Sequence, residues 1–144
     1  NKDYAFGGVS RDLLPHLLSL IIAIEPQYNQ IHWTFKQIQQ RWELQDLVDS
    51  DYGQVDSQGV YNVDDRVELR GRINDCQWEV TADWRSNIED DVAIYFDDHR
   101  IPLGLCPEYA YKAMIQEAIE NRTNNDYWLN QFEQDLWIHK KINL

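Results

Sequence analysis

The chain has 144 residues with 13 basic and 25 acidic side chains, a net charge of −12 and an apolar share of 43%. Its length suits a single compact domain, 1–144, because folding at this size removes about two-thirds of the unfolded surface from water. With 12% aromatic residues it is not a disordered acidic tail, and its negative field disfavours nucleic acid and anionic membrane as partners.

Leu13, Leu14, Leu17, Leu18, Ile21 and Ile22 recur at helical spacing, which predicts a first helix. Asp12 is placed to cap it, Pro15 fits only its first turn, and Glu25-Pro26 stops it. His16 on this apolar helix reads as a core or boundary histidine. The run from Leu13 to Ile24 is broken by Pro15, His16 and Ser19 and is shorter than the roughly 20 residues a bilayer requires. Nor does it have the flanks of a signal peptide. Cys76 and Cys106 are too few and too far apart for a disulfide framework or a zinc site, so the expected location is cytoplasmic.

Phe35, Ile38, Trp42, Leu44 and Leu47 predict a second helix over Thr34–Val48, broken by Asp49-Ser50-Asp51-Tyr52-Gly53. The chain up to Gly59 then reads as an exposed loop.

The clearest local signal is a β-hairpin. Cys76, Trp78, Val80, Ala82 and Trp84 alternate with polar residues, as do Val67, Leu69, Gly71 and Ile73 upstream. With Asn74-Asp75 as the turn, Arg70 faces Glu79, Arg66 faces Asp83 and Gly71 faces Trp78. This register makes two favourable charge pairs and leaves room for an indole beside a glycine. A third strand, Val92–Phe96, is expected to complete a meander.

Pro107 opens a helix carrying Tyr111, Met114, Ile115, Ala118 and Ile119 on one stripe. After Asn124-Asn125 a last helix carries Trp128, Leu129, Phe132 and Leu136 and ends in Lys140-Lys141. The predicted fold is α+β: two N-terminal helices, a three-stranded antiparallel meander and two C-terminal helices.

No catalytic, nucleotide or phosphate-loop motif is present, and no cofactor or metal is implied. Asp49, Asp51 and Gly53 lack the glycine and terminal glutamate of a calcium loop, since Gln54 and Val60 stand at those positions. His16, His32, His99 and His139 are scattered, with no serine or cysteine spaced as a nucleophile. Cys106 before Pro107 could be a helix-start thiol, without a cationic neighbour in sequence. Asp97, Asp98 and His99 could serve a metal-dependent hydrolase, but the carboxylates at Glu89-Asp90-Asp91 lie about 15 Å away along a five-residue strand.

The charge is segregated. Glu43–Asp98 holds sixteen acidic and four basic residues, which accounts for the whole net charge. Acidic and aromatic residues interleave there, and the candidate partner-binding set is Asp49, Asp51, Tyr52, Asp64, Asp65, Glu89, Asp90, Asp91, Asp97 and Asp98. Such groups speed encounter with a basic partner and then anchor it. In size, acidity and lack of catalytic motifs the chain resembles the small acidic immunity proteins with which bacteria neutralise toxins, many of them nucleases. That resemblance implies a non-enzymatic inhibitor of a cognate basic toxin. It carries no residue-by-residue motif and no architecture. An acidic mimic of nucleic acid is the alternative of the binding class. Oligomeric state is not legible in the sequence.

Overall fold

The computed structural model describes residues 8–41, 61–84, 93–96, 99–102 and 107–143. The chain forms two compact units, one of residues 1–85 with 134–144 and one of residues 86–133.

The first unit is built on an antiparallel sheet of β1 (His32–Gln39), β2 (Arg66–Ile73) and β3 (Cys76–Asp83), in that order. The β2–β3 register is the predicted one: Arg66 opposes Asp83, Arg70 opposes Glu79 and Gly71 opposes Trp78. Asn74 enters the turn with φ of 51°, a left-handed conformation that asparagine tolerates, and Arg72 Nε donates to its carbonyl at 2.7 Å.

Alternation along β2 sends Val67, Leu69 and Ile73 to one face, where they are buried with Val80 and Ala82 of β3. Onto this face pack Val9 of the short helix α1 (Val9–Asp12) and Leu14, Leu18 and Ile21 of α2 (Leu14–Ile24). Ile138 completes the core from the end of α4 (Asn125–Ile142). Nearby, Trp137 meets Tyr28 edge-on with ring centres 5.1 Å apart. Lys36 of β1 donates from Nζ to the carbonyl of Ile142 at 2.6 Å, tying the helix end to the strand. Carbonyls at a helix C-terminus have no partner within the helix, so a cation is favourable there.

Several expectations are corrected. Thr34–Gln39 is strand, not helix, while 42–48 lies outside the described residues. The misreading has a physical source. A bulge between Trp33 and Phe35 shifts the register, so Trp33 opposes Gly71 but Lys36 opposes Leu69 and Ile38 opposes Val67. The large apolar residues therefore lose period-2 alternation, and Phe35 and Ile38 imitate helical spacing. The third strand beside the hairpin is accordingly β1. The later strand β4 (Ala93–Phe96) pairs instead with β5 (His99–Pro102) in a separate two-stranded sheet. Asp12 does not cap α2: Leu13 occupies the cap position without a side-chain bond, and Pro15 sits in the first turn as predicted. His16 is exposed, not in the core. Three helices longer than one turn are described, so the α+β class holds with one N-terminal helix beyond a single turn.

The second unit contains β4, β5, α3 (Pro107–Glu120) and α4 as far as Glu133. The α3–α4 turn is well specified. Tyr127 N–H donates to Asn124 Oδ1 at 3.2 Å as an N-cap bond, and the Trp128 indole donates to the carbonyl of Asn121 at 2.8 Å. Among the described residues no helix is long and apolar enough to cross a membrane.

Candidate functional site

Alternation places the charged residues of the hairpin on the sheet face opposite the core, where the side chains connect into a ladder. Asp65, fully buried, accepts from the backbone N–H of Arg41 at 2.7 Å and from its Nε at 3.1 Å. The same guanidinium bonds Asp83, which also receives Arg66 Nη1 at 3.2 Å. Arg66 reaches Glu68 at 3.4 Å, Glu68 pairs with Arg70, and Arg70 approaches Glu79 at 3.7 Å. The Arg70 guanidinium also lies 5.2 Å from the centre of the Phe35 ring, a cation–π contact on the same face.

Burial acts to lower the Arg41 pKa, but the hydrogen bonds it donates to Asp65 and Asp83 and the charge of both carboxylates outweigh it and hold the guanidinium above its ordinary value. The ladder thus joins three arginines to four carboxylates, and its buried end at Asp65 is structural. The Asp65 N–H donates to the carbonyl of Gln39 at 2.9 Å and its carbonyl accepts from Trp84 N–H at 2.9 Å. This residue therefore stitches the ends of β1 and β3 to the start of β2.

Asp64 is also structural. Its Oδ2 accepts from Ser10 N–H at 2.7 Å and its carbonyl from Val9 N–H at 3.0 Å, which satisfies the first turn of α1. Gly8 permits this approach. It has φ of 81°, and a Cβ there would lie 2.4 Å from the Asp64 carbonyl oxygen.

The structure places two members of the partner-binding set in structural contacts: Asp65 is buried and held by Arg41, and Asp64 is half-buried with its Oδ2 accepting from Ser10 N–H. Their adjacency to Tyr61 in sequence resembled an acidic-aromatic loop. The signal for their structural role was subtler: an Asp immediately before a strand, with an arginine available across the sheet. Asp49, Asp51, Tyr52, Glu89, Asp90, Asp91, Asp97 and Asp98 lie outside the described residues.

Arg41 is not legible as a site residue in the sequence, because the helix expected over Thr34–Val48 gives it no partner. Among the described residues no group of three or more His, Cys, Asp or Glu could hold a metal ion. His99 is exposed on β5, and Cys76 is an exposed free thiol.

The distribution of the remaining charge follows. Of the sixteen acidic residues in Glu43–Asp98, six fall in the hairpin region 61–84, which also holds three arginines. The other ten, with Arg85 alone among basic residues, fall in 42–60, 85–92 and 97–98. Nine of the twelve net negative charges therefore belong to those three stretches.

No family model matches this chain, and neither a curated protein nor a solved structure does.

Proposed function

We propose that this protein is a non-enzymatic inhibitor of a basic protein partner, of the immunity type, in which the acidic stretches before and after the hairpin in sequence occupy the partner's cationic active-site cleft. The observation that carries this reading is the separation of two charge populations. Hairpin carboxylates are engaged by Arg41, Arg66, Arg70 and Arg72 or by the backbone of α1, whereas nine net negative charges stand elsewhere in the chain.

The groups assigned to the partner are Asp49, Asp51, Tyr52, Glu89, Asp90, Asp91, Asp97 and Asp98. Asp97 and Asp98 join Phe96 to His99, two residues paired across β4 and β5. A toxin that acts on RNA or DNA must present cations to phosphate, and carboxylates can take the phosphate positions. Inhibition is then steric and electrostatic, with association that slows as salt screens the charges.

The test is affinity capture at low ionic strength on the immobilised full chain, followed by salt elution and an activity assay of the eluted protein. A basic protein whose activity is lost on adding the chain back supports the reading. Recovery of only acidic or neutral proteins, held equally at high salt, contradicts it.

A further inference from the structure

The three-stranded sheet ends in two outer strands, β1 and β3, and only one of them is blunted. Along β1 a bulge between Trp33 and Phe35 breaks the ladder and Lys36 stands near its middle, both devices that discourage further pairing. β3 has neither. Its eight residues pair with β2 without interruption from Cys76 to Asp83, and it contains no proline, glycine or lysine.

The direction of its backbone groups is fixed. Trp84 N–H donates to the carbonyl of Asp65 at 2.9 Å, in continuation of the β2–β3 register. The even-numbered residues of β3 therefore bond to β2, while Gln77, Glu79 and Thr81 turn their N–H and C=O groups outward. All three residues are exposed. Among the described residues, these outward groups meet only Cys76 Sγ, 3.9 Å from the Gln77 carbonyl.

From this we propose that the β3 edge is a strand-docking site, filled by an extended segment of a partner protein that adds antiparallel as the next strand. A second copy of the chain does not fit. Antiparallel pairing of two β3 strands would put both α2 helices on the same side of the joined sheet. α2 lies against β3, so the two helices would stand over strands about 4.8 Å apart, where packed helices need about 8–10 Å. The occupant is a strand with no helix above it on that side.

The two faces of β3 set the chemistry of that strand. Trp78, Val80 and Ala82 lie on the core side and call for apolar neighbours, whereas Gln77, Glu79 and Thr81 on the other side call for polar ones. Glu79 is 53% exposed and only 3.7 Å from Arg70, which leaves it able to take a lysine or arginine from the added strand. The fitting segment alternates apolar and polar residues and carries a cation opposite Glu79.

Docking at β3 is independent of the proposed inhibitor function, because main-chain bonds carry it and the acidic stretches take no part. The test is titration of the isotope-labelled full chain with a capped peptide, Val-Thr-Val-Lys-Val-Thr-Val, followed at single amides. The amides of Gln77, Glu79 and Thr81 should shift and gain protection from hydrogen exchange, while those of Trp78 and Val80, already bonded to β2, should change little. In antiparallel pairing the threonine and lysine nitrogens of the peptide face β3 and the valine nitrogens face away. Methylating the former nitrogens should weaken binding at least about tenfold, and methylating the latter should leave it intact. Equal loss from both, protection at other amides, or no binding at millimolar peptide overturns the proposal. So does sedimentation of the free chain at twice its 17.2 kDa with the same three amides protected, which would give the edge to a second copy.

Discussion

Arg41 grips Asp65 with both its backbone N–H and its guanidinium, at 2.7 and 3.1 Å, and the carboxylate it holds is fully buried. The contact joins the second residue after β1 to the residue before β2, so the two strands are locked where the chain leaves one and enters the other. Removing the carboxylate leaves the guanidinium short of its most buried partner and opens a polar hole. Asp65→Ala is expected to lower unfolding free energy by about 3 kcal/mol, the usual cost of breaking a buried pair. Urea denaturation measures it, and a loss below about 0.5 kcal/mol would show that Asp65 is replaceable.

Gly71 offers a second test of the sheet. A Cβ at this position would come within 2.8 Å of both Ile31 Cγ2 and Trp33 Cε3. Gly71→Ala should therefore destabilise by roughly 1–3 kcal/mol through overpacking. Because the clash involves the Trp33 ring, combining it with Trp33→Leu should cost less than the two single changes together. Strict additivity would place the strain elsewhere.

The fold was legible where local chemistry and tertiary environment agree. In β2 and β3, alternation, a turn-forming Asn74-Asp75 and complementary charges all specify one register, and that register is the one observed. In β1 a single bulge at Thr34 breaks the alternation, and strand identity then depends on pairing with β2, a contact some thirty residues distant that no window of sequence reveals. The candidate site divides the same way. Total charge and its segregation are sequence properties, but whether a given aspartate is free or consumed depends on partners such as Arg41 and the N–H of Ser10. Those partners lie 24 and 54 residues from the aspartates they bind.

Lys36 gives the fold a specific alkaline response. Burial lowers its pKa from the ordinary 10.5, partly opposed by the charge of Asp64. The folded state therefore releases this proton at lower pH than the unfolded chain does. Between the lowered folded value and 10.5 the unfolded state binds more protons, so the contribution of Lys36 to stability rises with pH across that window. It is lost again as pH falls through the folded value. Relative to Lys36→Met, the parent protein should gain stability between pH 8 and pH 11. Denaturation curves of both proteins at the two pH values measure the difference, and a flat or falling difference would contradict the assignment.

The exposed end of the charge ladder should matter little. Arg70 and Glu79 are 48% and 53% exposed and 3.7 Å apart, a geometry in which ion pairs contribute less than about 1 kcal/mol. Glu79→Gln is expected to leave both stability and partner affinity within that margin. A large loss of affinity in this variant would move the binding surface onto the hairpin.

The central claim is that the acidic stretches outside the hairpin, and not the paired charges of the hairpin, meet a basic protein. The most direct measurement is the association rate of the captured partner with three forms of the full chain: the parent, Glu79→Gln, and a triple variant with Glu89→Gln, Asp90→Asn and Asp91→Asn. The account expects the parent and Glu79→Gln to associate alike, and the triple variant to associate roughly tenfold more slowly at low salt, with the gap closing as salt rises. An equal, salt-insensitive rate for all three would contradict it.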